Sequence, residues 1–158
     1  KTKEESIFEF IDAISSRNAP RAMVILNDLL HQHHDHHPLE ILAIIHREIR
    51  NLFLAKDYMK GAVKDAWSRE MFYPAFQKDV YPLIKKEGGK EEKKIFPSLH
   101  PYVIYTSMKH QENFSTEELR EAFFILAEAD RKLKSSRLSP KLILEELVLK
   151  LCSARATS

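Results

Sequence analysis

Apolar residues recur every three or four positions through most of the chain, the spacing of one face of an α-helix, and alternating strand-like runs are hard to find. In the first stretch Ile7, Phe10, Ile11 and Ile14 form one stripe. Ser6 and Glu9 have the spacing of a capping box, so the first helix is expected to start at Ser6 and to end by SSRN. A second helix enters at Asn18 to Pro20 and turns Ala22, Ile25, Leu26, Leu29 and Leu30 inward, making a hairpin with the first. A third begins at Pro38, which suits a first helical position, carries Leu42, Ile45, Ile49, Leu52 and Phe53 inward, and ends at Gly61.

The pattern loosens over residues 68–98, which hold three prolines, two of the three glycines and the mixed charge run KKEGGKEEKK, expected as a solvated loop. Trp67, Phe72, Tyr73, Phe76 and Tyr81 are expected to pack short helical structure there. Regular spacing resumes at His100 and Pro101, where Val103, Ile104, Ser107 and Met108 line a helix that stops near Asn113. In FSTEEL, Ser115 and Glu118 have cap spacing, with Phe114 and Leu119 placed as a hydrophobic staple, and the helix that follows runs to about Lys134. In LSPKLI, Ser139 caps and Pro140 opens a last helix, with Leu138 set to staple to Ile143 and with Leu144, Leu147, Val148 and Leu151 inward. The sum is an all-α fold, a compact bundle of six or seven helices.

A length of 158 residues, 44% of them hydrophobic, suits a single domain over 1–158. No apolar run approaches the roughly 18 to 20 residues of a membrane span. A net charge of only +2 leaves no overall footprint for nucleic acid, so no membrane and no direct DNA contact are expected. The one cysteine, Cys152, suits a reducing compartment such as the cytoplasm and reads as a small apolar residue near a helix end. The opening KTKEES lacks a methionine, as a segment of a longer protein would.

The chain contains no GxxxxGK[ST], GxGxxG, GxSxG, CxxC or HExxH, and its nearest approach to the last, His46 and Glu48, lacks the second histidine. No catalytic, cofactor-binding or metal residue is therefore assigned. Asp130 stands out instead, because the inward face of its helix reads Leu119, Ala122, Phe123, Leu126, Asp130, Leu133. A carboxylate on an apolar stripe needs a cation, and Arg47, Arg50, Lys134 and Arg137 are the candidates; Asp130, Arg50 and Lys134 are assigned as structural polar residues.

Five of the eight histidines fall in HQHHDHH, residues 31–37. His33, Asp35 and His37 in a loop, with Glu40 or Asp28 nearby, would give a metal-dependent enzyme a site, but Pro38 opposes a continuous helix through the run and no further ligand pair completes a tetrahedral shell. The run reads as a polar turn between Leu30 and Pro38. A nucleic-acid module built on Lys85 to Lys94 is a third reading.

Four ordered blocks carry a resemblance: SIFEFIDAISSRNAPRAMVILNDLL at 6–30, PLEILAIIHREIRNLFLAKDYMKG at 38–61, HPYVIYTSMKHQENFSTEELREAF at 100–123 and AEADRKLKSSRLSPKLILEELVLKLCS at 127–153. Together, about two thirds of the chain, they resemble the C-terminal domain of the delta subunit of bacterial DNA polymerase III, part of the sliding-clamp loader. The family's closing signature corresponds to Asp130, Lys134, Ser135, Ser136 and the stretch from Leu138 to Cys152. The resemblance implies a non-catalytic, clamp-loader collar-like domain that holds delta among ATPase-type subunits and delta prime, with the sliding clamp bound through an N-terminal region outside this segment. Two departures stand out: an insertion at about 68–98, and HQHHDHHP where the family has a short glycine-containing turn.

Overall fold

The structure, a computed structural model, describes residues 2–31, 36–61, 63–87, 95–135 and 137–153. Among these it is all-α. Six helices have ten or more residues: α1 (Lys3–Ser15), α2 (Ala19–Leu30), α3 (Pro38–Tyr58), α7 (Pro101–His110), α8 (Thr116–Ser135) and α9 (Pro140–Cys152). Between α3 and α7 lie three short ones, α4 (Val63–Ala66), α5 (Tyr73–Asp79) and α6 (Tyr81–Glu87).

The boundaries follow local chemistry. Asn18 caps α2 by accepting from the Arg21 amide at 3.2 Å. At α1 the cap is Thr2 and not Ser6: the Thr2 hydroxyl accepts from the Glu5 amide at 3.1 Å, and the Glu5 carboxylate accepts from the Thr2 amide at 2.8 Å. T-x-x-E completes a capping box one turn earlier than S-x-x-E, and Ser6 is then buried inside the helix. The far end of α1 closes as a Schellman motif, with the Asn18 amide donating to Ala13 at 2.8 Å and the Arg17 amide to Ile14 at 2.9 Å. Arg17 occupies its left-handed position, φ 58°.

The chain forms two compact units. The first joins residues 1–49 to 117–158, so both ends of the sequence build it. There α1 packs on α2, and α9 packs on both. Phe10, Ile14, Leu26, Leu29, Leu144 and Val148 are among its buried side chains. Each such burial is worth roughly 1.5–3 kcal/mol. The turn after α1 is tied down by Arg17, whose guanidinium meets Glu118 Oε2 of α8 at 2.6 Å and donates to the Ser153 carbonyl beyond α9 at 2.6 Å.

The second unit, residues 50–116, contains the end of α3 and helices α4 to α7. Its core is aromatic. Phe76 is fully buried, with Tyr105 at 5.3 Å and Trp67 at 6.2 Å between ring centroids, while Phe96 lies 5.1 Å from Tyr58. The Tyr105 hydroxyl reaches the Met71 carbonyl at 2.8 Å, which satisfies the one polar atom of that ring. The loosely patterned stretch thus does form short helices around Phe76, Val80 and Ile84. Phe72 is the aromatic that does not pack inward, at 79% exposed. Of KKEGGKEEKK, residues 88–94 lie outside the described ones.

Candidate functional site

On α8 the buried stripe is Leu119, Ala122, Leu126 and Ala129. From Leu126 it continues by three positions to Ala129, not by four to Asp130. Asp130 therefore stands at the edge of the apolar face, with its side chain 41% exposed, and meets Lys134 Nζ one turn on at 3.0 Å. Arg50 falls in the second unit, where its guanidinium approaches the Asn51 side-chain oxygen at 3.4 Å.

Asp130 and Lys134 border a groove of about 580 Å³ within the first unit, between the first turns of α3 and the middle and end of α8. Leu42 and Leu126 form its floor and are nearly covered, whereas Ala43 and Ala127 are small and exposed. At one end the His46 ring meets Phe123 edge-on at 5.7 Å. Arg47 lies on the rim, exposed, and forms no ion pair with a described residue. The groove is apolar within and charged along its lip, a composition that suits contact with another apolar surface better than chemistry on a small molecule.

One strongly perturbed carboxyl lies elsewhere. Glu48 of α3 is buried, and loss of hydration raises its pKa from 4.5 to about 7. The Ser15 hydroxyl of α1 bonds it and pulls the value down part of the way, while the Asp12 carboxylate pushes it up. Glu48 does not line the groove, and its neighbours hold it in the interior. The sequence carries a signal for it: Ile41, Ile44, Ile45, Glu48, Ile49 and Leu52 form one stripe, the same anomaly as at Asp130.

In the described part of the histidine run, His31 closes α2, its amide donating to the Asn27 carbonyl, while His36 and His37 lie at the start of α3. His37 Nδ1 accepts from the Leu39 amide at 3.1 Å, which caps the helix. His100 caps α7 identically, with Nδ1 accepting from the Tyr102 amide at 3.1 Å, so both His-Pro pairs work as helix starts. His36 is buried, its amide donating to the Leu29 carbonyl at 2.8 Å and its Nδ1 lying 3.1 Å from Glu40 Oε1. His33, His34 and Asp35 lie outside the described residues, among which no group of three His, Cys, Asp or Glu side chains could hold a metal ion. Burial pushes the Cys152 thiol up, which disfavours the thiolate.

Among the described residues no helix is long and apolar enough to cross a membrane. Residues 4–69 and 83–151 match the family described as DNA polymerase III delta subunit, C-terminal domain. The DNA polymerase III subunit delta of Bacillus subtilis (strain 168) is 27% identical over 153 residues, which cover 96% of this chain and 36% of that protein. The solved structure of the Bacillus subtilis DNA clamp loader delta protein superposes with a TM-score of 0.64 at 26% identity, over 96% of this chain and 37% of the other. The chain thus spans little more than a third of the length of these relatives. The family match is interrupted at residues 70–82, on α5 and the start of α6.

Proposed function

The chain belongs to the family formed by the C-terminal domain of the DNA polymerase III delta protein, and from that premise we propose that it is the assembly domain through which delta takes its place in a sliding-clamp loader. Its partners are the ATPase-type subunits and delta prime. The sliding clamp is engaged by a part of the protein outside this segment. The work of the domain is positional: held in order around a ring, the neighbours pass ATP-driven changes to the part of delta that opens the clamp.

The observation that carries this reading is the family match across both compact units. Two features support the absence of chemistry in this segment. The perturbed carboxyl, Glu48, is enclosed and does not line the groove, and the described histidines His36 and His37 are engaged at the start of α3. No metal or cofactor is required, direct DNA contact is not part of the role, and the site of action is the cytoplasm. Asp130, Arg50 and Lys134 act as structural polar residues. The segment at about 68–98 is an elaboration of the family's domain, a reading supported by the interruption of the match within it.

The experiment is association of the purified chain with the ATPase-type and delta prime subunits of its own organism, followed by gel filtration and analytical ultracentrifugation. A stable complex is expected. Failure of all three to co-migrate at micromolar concentration counts against the assembly role.

A further inference from the structure

The groove between α3 and α8 has no occupant among the described residues, and its features select one kind. Its α3 wall, Leu39 to Arg47, is about two helical turns long, on the order of 12 Å at 1.5 Å per residue. Midway along stand Ala43 and Ala127, exposed and small enough to let another backbone come close. Interaxial distance between packed helices is set by the side chains at the contact, so alanines facing the gap favour a third helix laid into it. The apolar floor at Leu42 and Leu126 offers a surface and no oriented polar groups, which fits a helix stripe better than a small ligand.

Charge narrows the choice further. Asp130 already meets Lys134 at 3.0 Å, whereas Arg47 has no ion pair among the described residues, leaving the rim with a positive charge to be matched. We infer that the α3/α8 groove receives an amphipathic helix of a neighbouring loader protein, apolar along one face and bearing an aspartate or glutamate at the edge of that face, opposite Arg47. The inference rests on the assembly reading and names the surface and the chemistry of the partner.

The test uses the whole chain with the ATPase-type and delta prime subunits. Cys152 is the sole cysteine and is buried, so Ala127→Cys supplies one accessible thiol in the groove for a benzophenone cross-linker. Irradiation of the complex is expected to join residue 127 to a helical segment of one neighbour with an apolar stripe flanked by acidic residues. Ala127→Trp, at an exposed position, should keep the native circular dichroism and raise the Kd for assembly by at least about tenfold. Arg47→Glu should raise it about threefold or more at low salt, with the effect shrinking at high salt.

Cross-links between two copies of this chain overturn the inference, as do cross-links to DNA when primed DNA is present. So does unchanged affinity of both Ala127→Trp and Arg47→Glu. A wild-type chain that fails to assemble removes the assembly reading and this inference together, whereas assembly of wild type and variants alike removes only the groove.

Discussion

Arg17 Nη1 lies 2.6 Å from Glu118 Oε2, with both side chains more than four-fifths covered. The same arginine sits at φ 58°, the left-handed closing position of a Schellman motif, where glycine is the usual residue. A non-glycine residue there costs on the order of 1 kcal/mol. The side chain offsets that cost by tying the α1–α2 turn to α8 and to the Ser153 carbonyl. Replacing Arg17 with alanine should lower stability by about 2–4 kcal/mol, since Glu118 loses a cation in a mostly covered position. Arg17→Gly should lose roughly 1 kcal/mol less, because it relieves the backbone. Urea unfolding of the two variants gives the comparison, and equal losses would sink the strain argument.

Glu48 predicts an unusual pH dependence. The folded state holds its proton up to about pH 7, whereas an unfolded glutamic acid releases it near 4.5. Between those values the folded chain binds more protons than the unfolded one, so this group's contribution makes stability fall as pH rises. The full change is on the order of 3 kcal/mol. Glu48→Gln should remove that slope, coming nearest to wild type below the unfolded value of 4.5 and exceeding it at pH 8. Urea midpoints measured across the range would show parallel slopes if burial were not the cause.

The two His-Pro starts make a paired prediction. His37→Ala and His100→Ala should each cost about 1 kcal/mol, with aspartate or serine at either position restoring most of it. An imidazole that only fills space would be restored by leucine instead, a result the same thermal melts would reveal.

Asp130→Ala should change stability by no more than about 0.5 kcal/mol, because an exposed pair one helical turn apart contributes little. A loss above about 2 kcal/mol would mean the carboxylate is buried by something this geometry does not contain.

Trp67 is the only tryptophan and belongs to the core of the second unit, so its fluorescence reports that unit. Phe76→Ala empties a fully buried position 6.2 Å from the indole and should cost about 3–5 kcal/mol, moving the fluorescence transition to lower denaturant. A fluorescence midpoint unchanged by this variant would count against the aromatic core.

The helix starts at Asn18, Pro38, Pro101 and Pro140 are legible in the sequence because caps and prolines act locally and need no knowledge of what packs where. Thr2 is hidden behind Ser6, since both head an identical spacing and only the extent of the helix decides between them. Asp130 and Glu48 are the instructive pair. Periodicity places both carboxylates on apolar stripes, yet a residue four positions after Leu126 can fall at the rim while one three after Ile45 falls inside. Which one is covered depends on the partner helix, and that lies far away in sequence. The groove is illegible for the same reason: its two walls, on α3 and α8, come from stretches far apart in sequence.

The first unit draws on residues 1–49 and 117–158, with the whole of the second unit between them. During synthesis α1, α2 and the beginning of α3 must leave the ribosome long before α8 and α9 exist to cover them, while the intervening residues can already find one another. Within this segment the unit that starts first is therefore the one completed last, and α1 and α2 wait as a partly covered surface until the last turn of α9 arrives.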